Sequence, residues 1–78
     1  MSDPLPADRI SWAAWRVADD GRVEVVATLV PAGEGAGPER ERREYATLEA
    51  AAEELGGSFR EVVERVLAEG RRRGRWRP

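Results

Sequence analysis

Two hydrophobic runs near the N-terminus alternate with polar residues in the manner of β-strands. The runs are ISWAAWRV at residues 10–17 and RVEVVATLVP at residues 22–31, and the sequence ADDG separates them. Asp and Gly accept the positive φ angles of a type I′ turn, so a two-residue loop at Asp20-Gly21 predicts a β-hairpin. We expect the residues on either side of this loop, Asp19 and Arg22, to form the first pair of the hairpin.

The register of this hairpin predicts which tryptophan lies in the core. In this register Trp12 shares a face with Val23 and Val25, whereas Trp15 lies on the opposite face. The first face is more uniformly apolar along the second strand, so we expect Trp12 to meet the helices and Trp15 to lie on the open face. A shift of one residue would exchange the two tryptophans.

The following segment changes from glycine-rich to densely charged. AGEGAGPE at residues 32–39 contains three glycines and a proline, which predicts a mobile loop. RERREYA at residues 40–46 has alternating charges, typical of an edge strand that is protected from pairing with another chain. Tyr45 is the expected anchor of this strand to the core.

Hydrophobic residues then recur with helical spacing. LEAAAEEL has an apolar stripe and follows Thr47, a suitable N-cap, and two glycines end this first helix. SFREVVERVLAEG repeats the same spacing and predicts a second helix. In that helix Ser58 and Glu61 match the S-x-x-E pattern of a capping box.

Together these elements predict an α+β fold. We expect an antiparallel sheet of three or four strands, with two helices packed on one face, in the order β-β-β-α-α. Residues 10–70 form the single domain, residues 1–9 form a flexible leader, and residues 71–78 form an Arg-rich tail.

The residue types argue against several classes of function. The 78-residue chain has no cysteine and no histidine, which excludes a disulfide and a thiolate zinc site. With no cysteine or histidine for catalysis and a core too small for a sizeable pocket, we expect neither an enzyme nor a cofactor-binding or metal-binding protein. No apolar run approaches the roughly 18 residues of a membrane span, and no secretory signal is visible, so we expect a cytoplasmic protein.

The net charge of −2 combines two regions of opposite sign. Residues 1–57 contain twelve acids and six arginines, whereas residues 58–78 contain three acids and seven arginines. All thirteen basic residues are arginine. A GC-rich genome explains that bias, so it does not by itself indicate phosphate recognition.

The first candidate site is a protein-binding surface built from Trp15 and from acidic residues of the hairpin, the loop and the third strand. The acidic candidates are Asp19, Asp20, Glu24, Glu34, Glu39 and Glu41. An exposed apolar patch around Trp15 favours a partner surface, unless the leader or a second copy of the chain covers it. The acidic edge is either a solvated surface or a surface that occupies a basic groove built for nucleic acid.

The second candidate site is the C-terminal sequence GRRRGRWRP. Its members are Arg71, Arg72, Arg73, Arg75, Trp76 and Arg77. The arginines could neutralise phosphates while the tryptophan stacks on a base. Alternatively, the first three arginines lie at the negative end of the second helix, where an i, i+4 pair between Glu69 and Arg73 would add stability.

Three segments of the chain resemble a known class of inhibitors. WRVADDGRVEVVATLV, REYATLEAAAEELGG and SFREVVERVLAEGRRR together resemble small phage-encoded anti-CRISPR proteins that block type I Cascade complexes, in element order, size and charge character. The resemblance implies a non-enzymatic protein in the bacterial cytoplasm that docks on the Cas7-type backbone and blocks target DNA binding. The alternative is a small nucleic-acid-binding regulatory protein that uses the Arg-rich tail.

Overall fold

The computed structural model describes residues 4–31 and 33–78. After a short 3-10 helix, the chain forms four strands and two helices. Their bounds are β1 Ile10–Val17, β2 Val23–Leu29, β3 Glu39–Tyr45, α1 Leu48–Leu55, α2 Gly57–Ala68 and β4 Arg73–Trp76. The predicted α+β class is confirmed, and a fourth strand follows the second helix.

The four strands form one antiparallel sheet in the order β3-β2-β1-β4. The charged strand β3 lies at one edge, as the sequence predicts. The opposite edge is β4, which comes from residues that the sequence analysis assigns to a tail or a helix end. Both edges of the sheet therefore carry charged residues, which discourages pairing with other chains.

The helix-end interpretation of the C-terminal arginines is wrong. Helix α2 ends at Ala68, and Gly70 reverses the chain with a φ of 86°. The carboxylate of Glu69 pairs with Arg71 rather than with Arg73. Past this turn the chain returns along β1 as an extended strand.

The β1–β2 connection has one more residue than the predicted turn. Val17 pairs with Val23, the Ala18 N–H donates to the Arg22 carbonyl over 2.8 Å, and the Gly21 N–H donates to the Ala18 carbonyl over 2.9 Å. Gly21 has a φ of 92°, as the last residue of a three-residue hairpin loop often does. The predicted register is therefore wrong by one residue, because this longer loop is also compatible with the sequence ADDG.

The change of register exchanges the two tryptophans. Trp15 pairs with Val25 on the helix-covered face and is 2% exposed. Trp12 lies on the other face and is partly exposed. The prediction that Trp12 is in the core and Trp15 on the open face is thus corrected, for the reason that a shift of one residue turns every side chain to the opposite face.

The core lies between the sheet and the two helices. Its buried members are Leu5, Ile10, Ala13, Trp15, Val23, Val25, Ala27, Leu29, Ala51, Leu55, Phe59, Val63, Val66 and Trp76. Leu5 belongs to the segment predicted as a flexible leader, so that part of the leader packs on the core. A β-irregularity between Ile10 and Trp12 places Ile10 on the core side, although Trp12, two residues further along the strand, lies on the other face.

Local contacts set the ends of the two helices. The Ala50 N–H donates to Thr47 Oγ1 over 3.1 Å, which confirms the predicted N-cap. Ser58 has no such role, because α2 begins at Gly57 without a side-chain cap. The Ser58 hydroxyl instead accepts a hydrogen bond from Trp76 Nε1 over 3.2 Å, so it connects the helix to β4.

Tyr45 anchors the edge strand β3 to the core, as predicted, and also connects it to α1. Its hydroxyl donates to the carboxylate of Glu54 in α1, and its ring packs against the core. Burial, followed by the contact with the Glu54 carboxylate, raises the pKa of Tyr45 above its ordinary value. The phenol therefore keeps its proton and its role as a donor throughout the physiological pH range.

Candidate functional site

The face of the sheet that points away from the helices presents a defined pattern of side chains, which we call the open face. It consists of Trp12, Ala14 and Arg16 from β1, Glu24, Val26 and Thr28 from β2, Arg40, Arg42 and Glu44 from β3, and Arg73 and Arg75 from β4. The alternation of the four strands places these residues on one side of the pleat.

The open face has an apolar floor between two columns of arginine. In its middle row Ala14 pairs with Arg75 on one side and with Val26 on the other, and Val26 pairs with Arg42. Three strand spacings of about 4.8 Å place the β3 and β4 columns about 14 Å apart. In this row the small and apolar side chains of Ala14 and Val26 lie between the columns, whereas Arg16 and Glu24 lie between them in the next row. Val26 is 36% exposed.

Two shallow depressions lie on the β4 side of this face. The first has a volume of ≈ 440 Å³, and its lining includes Arg16, Arg73 and Arg75. The second has a volume of ≈ 400 Å³ and is lined by Trp12, Arg75, Trp76 and Arg77. Arg75 separates the two depressions, since it contributes to both linings.

The charges of the open face do not cancel. Glu24 contacts Arg16 over 3.1 Å and Arg42 over 3.5 Å, and Glu44 is the only other acid of the face. The five arginines and two glutamates of the face give a net charge of +3. Within the described part of the chain, Arg73 and Arg75 form no ion pair with a carboxylate.

Two arginines of the open face are direct neighbours. Arg16 and Arg73 are cross-strand partners on the same side of the sheet. Like charges at directly opposite positions repel each other across a sheet, and the ion pair of Arg16 with Glu24 offsets part of this repulsion. A bound anion between the two guanidinium groups would relieve that repulsion.

The helical layer has the opposite charge. Its acids are Glu49, Glu53, Glu54, Glu61, Glu64 and Glu69, and its arginines are Arg60 and Arg65. These residues sum to −4, whereas the open face sums to +3. A weakly acidic protein is therefore polarised, with a basic sheet face and an acidic helical layer.

The structure does not bring the predicted protein-binding residues together as one surface. Trp15 is buried, so the expected exposed apolar patch around it is absent among the described residues. Glu24 lies in the middle of the basic open face, and Glu41 is on the other side of the sheet beside Arg43, at 2.9 Å.

The remaining predicted acids lie at the periphery. Asp19 is in the hairpin loop, 3.0 Å from Arg72, and Asp20 contacts Arg22 over 3.3 Å. Glu39 lies 3.7 Å from Arg9, and Glu34 is exposed in the loop before β3. Each of these acids except Glu34 is thus partly neutralised by an arginine.

Trp76 has a structural role instead of the predicted stacking role. It is 2% exposed, and its ring packs edge-to-face on Phe59 with the centroids 5.3 Å apart. A nucleobase cannot reach a ring that is buried on the core side, so the prediction that Trp76 stacks on a base is corrected.

The predicted C-terminal arginines separate into two groups. Arg71 and Arg72 lie in the α2–β4 connection and pair with acids of the protein. Arg73 and Arg75 are on the open face, and Arg77 lines the depression beside Trp12. Trp12 is a surface residue that the predicted register placed in the core, and the shift of one residue exposes it.

Comparison of the chain with protein-family models, with curated proteins and with solved structures finds no match. Among residues 4–31 and 33–78, no helix has the length and apolar character that crossing a membrane requires. In the same residues, no cluster of three or more potential ligands is placed to hold a metal ion.

Proposed function

We propose that the protein binds nucleic acid on the open face of its sheet. The observation that supports this function is the pair of arginine columns on either side of an apolar floor. Guanidinium groups form bidentate hydrogen bonds to phosphate oxygens, and each neutralised phosphate releases counterions. Arg73 and Arg75 are available for such contacts, because no carboxylate of the described chain pairs with them.

The polarised charge of the protein supports the same orientation. A polyanion attracts the open face and repels the acidic helical layer, so one side of the molecule is favoured in an encounter. The overall net charge of −2 is therefore compatible with nucleic-acid binding. The positive charge of the open face also predicts that the affinity for nucleic acid falls steeply as the salt concentration rises and screens this face.

Removal of the β4 arginines is expected to weaken nucleic-acid binding. The double variant Arg73→Ala/Arg75→Ala should bind a fluorescently labelled oligonucleotide at least about tenfold more weakly at low salt. Its plot of log affinity against log salt should be shallower by about 1.4 to 1.8, since two phosphate contacts are lost. Fluorescence anisotropy over a range of salt concentrations measures both quantities.

The matched control for this experiment is Arg60→Ala/Arg65→Ala in the helical layer, which removes the same charge from the opposite side. We expect its affinity to stay within about twofold of the original chain, apart from the small effect of net charge. Equal losses in the two double variants would contradict the assignment to the open face. Absence of binding by the unmodified chain at low salt would contradict the function itself.

Neutralisation of Glu24 is expected to raise the affinity for nucleic acid. Its carboxylate lies among the arginines of the open face and contacts Arg16 and Arg42. One charge at about 7 Å from a phosphate in water is worth about 0.6 kcal/mol, so Glu24→Gln should bind about threefold more tightly. The same anisotropy assay measures this change, and a loss of affinity would count against binding on this face.

A protein-binding inhibitor of the anti-CRISPR type is the second candidate function. The net charge of −4 on the helical layer favours it, because such a surface could occupy a basic groove of a Cas7-type backbone. The test is whether the chain prevents target DNA binding by a type I effector complex. Inhibition without any affinity of the chain for DNA, unchanged in Arg73→Ala/Arg75→Ala, would support this candidate over the first.

A further inference from the structure

We infer that the nucleic acid bound on the open face is single-stranded, and that one of its bases stacks on Trp12 in the position that Arg75 occupies in the free protein. This inference rests on the proposed function and specifies its ligand. The observation behind it is the guanidinium carbon of Arg75, which lies 5.1 Å from the centroid of the Trp12 ring.

Trp12 is the aromatic side chain of the open face that a ligand can reach. Trp15 and Trp76 are each 2% exposed, whereas Trp12 is partly exposed and lines a depression of ≈ 400 Å³. That volume lies in the range of small-molecule sites, so the depression has room for a planar group of the size of a base. Arg75 and Arg77 line the same depression and can contact the adjoining phosphates.

The contact between Arg75 and Trp12 is weak enough to be exchanged. A cation above an aromatic ring at an exposed site contributes about two- to fivefold to an equilibrium. A base stacked on an aromatic side chain contributes about fivefold to 150-fold to affinity. A base that replaces Arg75 therefore gains more than the protein loses, and it releases the guanidinium to bind phosphate.

The structure favours a single strand over a duplex. In a duplex the bases are paired and stacked on one another, so only phosphates and base edges could approach this face. The phosphates would then lose water against Trp12 and Val26 without a compensating contact. In a single strand the bases are free to lie on the apolar floor while the phosphates follow the arginines.

A second copy of the chain that packs through its own open face is a poorer occupant. Two open faces of net charge +3 would repel each other, and the arginines of both copies would lose water with few acidic partners to gain. A nucleic-acid strand supplies the opposite charge along its whole length. Charge complementarity therefore favours the polyanion over a face-to-face dimer.

The test compares three ligands with the intact 78-residue chain at low salt. They are a single-stranded oligothymidine, an abasic oligomer with the same number of phosphates, and a duplex of the same length. We expect the oligothymidine to bind at least about fivefold more tightly than the abasic oligomer. Binding of the oligothymidine should also quench tryptophan emission. This quenching reports mainly on Trp12, because the other two tryptophans are buried and out of reach of the ligand.

The protein variants isolate the role of the ring. Trp12→Ala should lose the preference for oligothymidine, so that it binds the oligothymidine and the abasic oligomer with similar affinity. Trp12→Phe, which keeps a stacking ring, should retain part of the preference, and circular dichroism verifies that both variants fold. Val30→Ala, which truncates an exposed apolar side chain after the end of β2, is the control for a general loss of apolar area and should keep the preference.

The outcomes separate this inference from the function on which it rests. If the three ligands bind equally well and Trp12→Ala changes nothing, stacking on Trp12 is contradicted while nucleic-acid binding by the arginines stands. If none of the ligands binds at low salt, the proposed function and the inference both fail. If polyglutamate binds as tightly as the oligothymidine, the open face recognises acidic protein segments, and the assignment to single strands is overturned.

Discussion

Replacement of Trp15 by alanine is expected to lower the free energy of unfolding by about 3–5 kcal/mol, a large part of the stability of a domain this small. The side chain is 2% exposed and belongs to the core. The main chain of β4 closes over its ring, since a Cβ built on Gly74 would lie only 2.9 Å from Trp15 Cζ2. Truncation would therefore leave a cavity beneath the edge strand as well as losing buried apolar surface.

The matched control is Trp12→Ala, which removes the same side chain three residues earlier on the same strand. Because Trp12 lies on the open face, we expect this variant to lose no more than about 1 kcal/mol. Urea denaturation followed by far-ultraviolet circular dichroism compares the two without relying on tryptophan emission. The reverse order of stabilities would show that the hairpin has the register with a two-residue turn.

Replacement of Trp76 by alanine is expected to cost a similar amount, about 3–5 kcal/mol. This residue is the third from the end of the chain, yet it is buried against Phe59 in α2. Its Nε1 also donates to Ser58, so the side chain joins β4 to the start of the helix. Without that anchor, the four-residue edge strand is held on β1 mainly by its backbone pairing.

The controls for Trp76 separate the ring from its polar atom and from its position. Trp76→Phe keeps an aromatic contact but removes the hydrogen bond to Ser58, so we expect an intermediate loss of about 1–2 kcal/mol. Arg77→Ala alters an exposed neighbour and should stay within about 0.5 kcal/mol of the original chain. Urea midpoints that are equal for Trp76→Ala and Arg77→Ala would contradict the docking of β4.

The stability of β4 also bears on the proposed function. Arg73 and Arg75 are on the open face only while β4 pairs with β1. A variant that releases this strand should lose affinity for nucleic acid together with stability, although it retains every arginine. The Arg73→Ala/Arg75→Ala variant, in contrast, should lose affinity with little change in the urea midpoint, because both side chains are exposed.

Local sequence was sufficient to predict most of the elements. The spacing of apolar residues in LEAAAEEL and in VVERVL defines one face of each helix, and Thr47 supplies the cap of the first. The alternating charges of β3 indicate an edge strand without reference to any other part of the chain. These predictions succeed because hydrophobic periodicity, capping and edge protection depend on neighbours within a few residues.

Only the tertiary structure decided the register of the hairpin and the positions of the C-terminal arginines on the sheet. ADDG is compatible with loops of two or three residues, and the packing of Trp15 beneath Gly74 belongs to the three-residue loop. RGRW has too few apolar residues to predict a strand, and it becomes one because β1 offers a free edge and α2 offers Phe59 to Trp76. Sequence alone therefore determined the local elements and their charges, whereas long-range packing determined which tryptophan is exposed and which arginines share the open face with it.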